Sequence, residues 1–262
     1  MNKITTKQVA LAAIFAALYV AINVAIPFKI PMGVPGLEIS LSALIATLVG
    51  IILGPYLGTA STLLGVVVSF ALGGSNIFDL PFLLSPPLNA FVSGSLFYKK
   101  WKQAVIPFIG LMIAFVFTPP VYSFNSVQVA IWVLWDKIVA VILIAPLLIF
   151  RKRLSVGLGA TALFILAFIG NQADNIWGSF AFALPPVYEG IFQMPMEAVQ
   201  VAFLGSPFIY PAIRLVQAFI ITLIAVPLIR VLSKTNWLWS KDNILSDGKK
   251  DSPPPLVTQF TQ

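Results

Sequence analysis

The 262-residue chain contains no cysteine and no histidine. The first absence excludes a disulfide framework and thiolate chemistry. The second removes the commonest metal ligand and the commonest general base near neutral pH. Charge is scarce as well: Asp, Glu, Lys and Arg make up 10% of residues, against roughly 25% in soluble domains. No G-x-x-x-x-G-K-[ST] phosphate loop, H-E-x-x-H helix or G-x-S-x-G elbow occurs anywhere in the chain, so neither nucleotide hydrolysis by that route nor these catalytic plans are available. No enzyme activity, cofactor or metal is expected.

What is present is apolar. Hydrophobic residues make up 59% of the chain, in runs of about 20, the length a helix needs to cross a hydrocarbon core of ~30 Å. The expected fold is all-α, a polytopic membrane helix bundle of six to eight transmembrane helices in the cell membrane. Candidate spans are 8–27, 38–53, 57–73, 80–98, 104–122, 128–150, 156–184 and 207–232. The first is too long for a signal-peptide core and reads as a membrane helix. Between the second and third, Leu53-Gly54-Pro55-Tyr56-Leu57-Gly58 stops one helix and turns into the next. Residues 28–37 are expected as an outer loop, and 185–206 as a longer outer loop with a short surface helix near Met194–Phe203. Residues 1–241 form the membrane domain, and 242–262 are expected as a disordered cytoplasmic tail.

The net charge of +7 has a topological explanation. With both termini in the cytoplasm, Lys3, Lys7, Lys99, Lys100, Lys102, Arg151, Lys152, Arg153, Arg230, Lys234, Lys241, Lys249 and Lys250 fall on the inner side. That is 13 of the 16 basic residues, the bias that sets orientation and meets anionic lipid. No nucleic-acid partner is needed. Trp237 and Trp239 suit an inner interface belt.

Four ionisable residues lie at membrane depth: Asp136, Lys137, Asp174 and Arg214. Such groups are costly in lipid and must face the bundle interior. Asn171, Asp174, Asn175 and Gly178 share one helical face, as do Tyr210, Arg214 and Gln217. Gln128, Trp132, Trp135 and Asp136 roughly share another, and Ser85, Asn89 and Ser93 form a milder stripe. Together these faces describe a pocket for a small polar ligand. Its expected residues are Asn171, Asp174, Asn175, Arg214, Gln217 and Asp136, with Trp132 and Trp177 as stacking walls. Arg214 suits a ligand anion, and Asp174 suits ring or amine donors. The plainer alternative is internal pairing, Asp174 or Asp136 with Arg214 and Lys137 with a neighbour. On the first helix, Ala10, Ala13, Ala17 and Ala21 line one flank, with Ala12 and Ala16 beside them. Small residues at this spacing permit close helix approach.

Three stretches together resemble the substrate-binding S component of energy-coupling factor (ECF) vitamin transporters. Gln8-Val9-Ala10-Leu11-Ala12-Ala13-Ile14-Phe15-Ala16-Ala17-Leu18 is similar to the family's A-x-x-x-A first helix. Gly50-Ile51-Ile52-Leu53-Gly54-Pro55-Tyr56-Leu57-Gly58 resembles its G-x-x-L-G-P-x-x-G turn. Ala173-Asp174-Asn175-Ile176-Trp177-Gly178-Ser179 and Ile209-Tyr210-Pro211-Ala212-Ile213-Arg214 resemble late segments of other members. The resemblance implies capture of a vitamin or similar micronutrient from outside, with residues 28–37 as a lid. It also implies docking on a transmembrane coupling subunit that carries two ATPases, followed by toppling to deliver the ligand inside. The docking residues would be among Ala12, Ala13, Ala16 and Ala17, in either of two registers. The family's six-helix fold is smaller than the eight spans counted here. The N-terminal His motif of its cobalt and nickel members is absent. Two rival readings are a stand-alone proton-coupled secondary transporter using Asp136 and Asp174 as relays, and a non-transport membrane scaffold.

Overall fold

The computed structural model describes residues 5–25, 29–31, 38–40, 43–123, 127–149, 159–205 and 207–233. The expected tail at 242–262 and most of the expected lid at 28–37 lie outside them. The bundle comprises α1 (Thr6–Ala25), α2 (Ala43–Leu53), α3 (Pro55–Ala71), α4 (Ser85–Phe97), α5 (Trp101–Val116), α6 (Pro119–Tyr122), α7 (Val127–Ile149), α8 (Ala160–Phe182), α9 (Met196–Gly205) and α10 (Ile209–Ser233). A 3-10 turn over Ile77–Phe82 precedes α4, and a π turn over Pro186–Ile191 follows α8. One antiparallel pair interrupts the helices: β1 (Lys29–Pro31) and β2 (Glu38–Ser40), with Ile30 opposite Ile39.

The helical class is as expected, but the spans are not equivalent. Among the described residues, four stretches are long and apolar enough to cross a membrane: Thr6–Ala25, Ile77–Phe97, Val127–Ile149 and Ile209–Leu232. The second combines the 3-10 turn with α4. The expected span at 38–53 is cut short, since Glu38–Ser40 is strand and α2 begins only at Ala43. Its 11 residues rise about 16 Å, half of what a hydrocarbon core requires. This helix is apolar on every side because it is enclosed on every side. Ile45 through Leu53 are all buried, the signature of a core helix rather than a lipid-facing one.

Glycine permits that enclosure. A Cβ on Gly50 would lie 2.1 Å from the Ala90 carbonyl oxygen of α4, and one on Gly58 would lie 2.9 Å from the Gly50 Cα. Small residues thus bring three backbones together, as in other membrane bundles. The expected turn is present: α2 stops at Leu53, Gly54 takes φ +79°, and Pro55 opens α3. The left-handed angle suits glycine, and proline suits a first helical position that needs no donor.

The remaining helices sort into lipid-facing and central ones. α10 buries Pro211, Arg214, Gln217, Ala218, Ile221, Thr222, Ala225 and Ile229, a single stripe of helical period. α8 is buried along nearly all of Ala162–Ile176 and packs against α4, α5, α7 and α10. It is the axis of the bundle and carries the densest polar sequence.

Candidate functional site

Among the described residues, four charged side chains are buried: Asp136, Lys137, Asp174 and Arg214. Each ion costs several kcal/mol to desolvate, so each needs a counter-charge at contact. Arg214 on α10 reaches Asp174 on α8, Nη2 to Oδ1, at 3.1 Å. Its Nη1 donates to the Gln217 Oε1 at 2.9 Å. Lys137 folds back on its sequence neighbour, Nζ to the Asp136 Oδ1 at 2.9 Å, and the Lys137 main-chain N–H donates to the same carboxylate oxygen at 3.0 Å.

An amide relay extends from the first pair through the bundle. Asn171 donates its Nδ2 to the main-chain carbonyl of Arg214 at 3.3 Å. A carbonyl can only accept, so Asn171 must present its oxygen to the other side. There Asn89 of α4 donates from Nδ2 at 3.1 Å. The Asn89 oxygen in turn accepts from the hydroxyls of Thr47 at 2.8 Å and Ser93 at 2.9 Å. The carbonyl of Arg214 therefore sets the direction of every amide as far as α2. Gly170 admits this crossing, since a Cβ there would sit 2.0 Å from the Ser93 Oγ and 2.5 Å from the Asn89 Oδ1.

The network is not closed. Among the described residues, the buried nitrogens Arg214 Nε, Gln217 Nε2 and Gln172 Nε2 have no hydrogen-bond partner. The amide of Gln217 cannot be turned to remedy this, because its oxygen is held by a guanidinium that only donates. A buried donor left unmade costs roughly 1–3 kcal/mol. Two of them, Arg214 Nε and Gln217 Nε2, belong to the ion-pair group itself and mark a place built to meet something else.

The expected site residues divide into groups. Asn171, Asp174, Arg214 and Gln217 are brought into one bonded cluster. Asn175 is beside it, donating to the Gln172 Oε1 at 3.4 Å. Asp136 is engaged by Lys137. Trp177 is half-buried and donates its ring N–H to the Pro81 carbonyl at 3.0 Å, tying α8 to the 3-10 turn. Trp132 lies apart: it is 40% exposed and its ring meets Phe208 edge-on at 5.9 Å. The stripe expected from Gln128 through Trp132 to Asp136 thus splits, with its first two members exposed and Asp136 buried. Thr47 joins the cluster through Asn89 without having been singled out from sequence, and Gln172 was likewise not singled out.

Aromatic rings cap the same end of α8. Phe192 meets Phe78 and Phe182 at 5.2 Å each, and Phe182 meets Phe203 at 5.7 Å. The π turn and α9 are thereby anchored to α8 about two turns beyond Asp174.

On α1 the two alanine registers separate. Ala12 and Ala16 are buried, whereas Ala10, Ala13, Ala17 and Ala21 are exposed. Ser61 and Gly65 of α3 take up the inner face: a Cβ on Gly65 would come within 3.1 Å of the Ala16 carbonyl oxygen.

The family model for the ECF-type riboflavin transporter S component matches residues 3–184. The chain belongs to that family. It is an S component, an integral membrane protein of vitamin uptake. The matched stretch runs from α1 to just past the end of α8, so Asn89, Asn171, Gln172 and Asp174 fall inside it, while Arg214 and Gln217 come from beyond it. No curated protein and no solved structure matches the chain.

Proposed function

We propose that this S component captures its vitamin in the cluster around Asp174 and Arg214 and hands it to an ATP-driven ECF complex. The observation that carries the reading is the buried, incompletely bonded cluster shared by α4, α8 and α10. The family name makes riboflavin the first vitamin to test. Asn171, Asp174, Asn175, Arg214 and Gln217 are the proposed ligand contacts, with Trp177 as an adjoining wall. Asp136, engaged by Lys137, is a further proposed contact. Trp132, packed on Phe208 at 40% exposure, is the weakest candidate for stacking.

The proposed coupling face is Ala10, Ala13, Ala17 and Ala21. Their exposure favours this register over Ala12 and Ala16, which are occupied by α3. The partners are a transmembrane coupling subunit and its ATPases. The test is reconstitution. The chain is co-expressed with an ECF module, purified and placed in proteoliposomes, and uptake of labelled riboflavin is followed. ATP-dependent uptake supports the reading. Uptake by the chain alone, abolished by collapsing a proton gradient, would establish a secondary transporter instead.

A further inference from the structure

Residues 185–206 are expected from sequence as an outer loop, yet α9 turns apolar side chains outward. Its inner side is held by protein. Val199 is buried. Gln200 donates Nε2 to the Pro120 carbonyl at 3.0 Å and the Ser123 hydroxyl at 3.2 Å. Phe203 meets Phe115 edge-on at 5.6 Å and Phe182 at 5.7 Å. A helix bordering water places polar side chains on the side away from the protein. Of the exposed residues Glu197, Val201, Leu204 and Gly205, only Glu197 is polar, and it stands in the first turn.

The depth of α9 is set by α7. The Trp135 ring N–H donates to the Pro207 carbonyl, just past the end of α9, at 3.1 Å. The Phe208 ring meets Trp132 and Trp135 at 5.9 Å each. Trp135 precedes Ile149, the inner end of α7, by 14 residues, or about 21 Å at the helical rise. Arg151, Lys152 and Arg153 follow in sequence and mark the inner side. A hydrocarbon core of ~30 Å starting there reaches about 9 Å beyond Trp135. The end of α9 is therefore held within the core. Backbone that leaves a helix at that depth must have its polar groups met by protein. Proline brings no N–H, the Pro207 carbonyl takes the Trp135 donor, and the Phe208 carbonyl accepts from the Ala212 N–H at 3.1 Å.

We propose that α9 is a re-entrant helix: it dips from the outer surface into the outer leaflet, rests its Val201 and Leu204 side on lipid acyl chains, and turns at Pro207 into α10. The partner is the hydrocarbon of that leaflet. The face is continuous with surface that the spans already offer to lipid, since Ile131 and Trp132 of α7 and Ile209 of α10 are exposed beside Phe208 in the same way. Trp132 and Phe208 add the aromatic pairing of an interface belt. α9 lies beyond residues 3–184, the stretch matched by the family model, so its course is read from this chain alone. Because the inner side of α9 holds Phe182, the rings at the outer end of α8 are clamped between bundle and lipid.

The test exploits the lack of native cysteine. Val201→Cys and Leu204→Cys are made singly in the full-length chain. Ile142→Cys, on an exposed position of α7, serves as the lipid reference, and Glu189→Cys, on the exposed π turn, as the water reference. Each is spin-labelled in nanodiscs. Relaxation is then measured with oxygen, which concentrates in lipid, and with a nickel chelate, which stays in water. Both α9 positions should follow Ile142→Cys, with strong oxygen and weak nickel relaxation, and Leu204→Cys should lie deeper than Val201→Cys. Nickel relaxation matching Glu189→Cys at the α9 positions overturns the proposal and places the helix in water. Protection from both reagents overturns it as well, because the face is then covered by protein. Each position alone separates lipid from water, so misfolding of one variant leaves the test intact.

Discussion

The Ser61 hydroxyl donates to the main-chain carbonyl of Ala12 at 2.6 Å. This bond between α3 and α1 helps fix how the first helix is rotated. It turns Ala12 and Ala16 inward and leaves Ala13 and Ala17 on the outer surface. Substituting leucine at Ala13 and Ala17 should therefore abolish co-purification with a coupling subunit and ATP-dependent uptake, with unfolding temperature nearly unchanged. The same substitution at Ala12 and Ala16 should lower the unfolding temperature instead, because overpacked contacts cost about 1–3 kcal/mol. Thermal unfolding and affinity capture on both pairs check the assignment. Loss of coupling only in the Ala12 and Ala16 variant would reverse it.

Breaking one partner of a buried ion pair costs more than removing both. Asp174→Asn and Arg214→Gln should each destabilise the protein by about 3–5 kcal/mol, whereas the double variant should recover a large part of that loss. A double-mutant cycle in unfolding free energy measures the coupling. Simple addition of the two single effects would mean that the ions do not depend on each other.

Glycine positions give a sharper packing test. An alanine at Gly50 places its Cβ within 3.0 Å of three backbone atoms of Ala90, and backbone cannot swing aside. Gly50→Ala should lower stability by at least about 1–3 kcal/mol. Gly110 on α5 has no atom within 4 Å of the corresponding position, and Gly110→Ala should be neutral or gain up to about 1 kcal/mol. Unfolding temperatures of the two variants, side by side, make the comparison.

The two tryptophans proposed from sequence should separate on mutation. Trp177 ties α8 to the turn before α4 through Pro81 and stands one turn from Asp174. Trp177→Ala should weaken ligand binding by about tenfold or more, and Trp132→Ala by no more than about twofold. Titration of each variant with riboflavin reads both numbers.

Much of the cluster was legible in the sequence because lipid makes charge conspicuous. Asp174 and Arg214 stand out in apolar helices, and helical period alone then selects Asn171 and Gln217 as their companions. Thr47 was not legible: a single hydroxyl in α2 has no periodic partner, and only the position of Asn89 gives it meaning. Gln172 lies about 100° around the helix from Asn171, so a face drawn through Asn171 and Asp174 omits it. Hydropathy also could not separate α2 from a true span. A helix enclosed by protein and one enclosed by lipid are equally apolar, and only the shortness of the helix and its packing against Ala90 distinguish them. Which alanine pair is covered was undecidable for a similar reason, since spacing four is met by both pairs and burial of Ala12 and Ala16 is decided by Ser61 and Gly65 on another helix.

Asp136 and Lys137 are adjacent in the chain, so they enter the bilayer as one neutral unit whatever else has been synthesised. Asp174 and Arg214 are 40 residues apart. Until α10 emerges and inserts, α8 must hold an unescorted acid. Biogenesis thus acquires an order: the acid of the central helix is made before its counter-charge, and α10 is the helix that lets α8 settle.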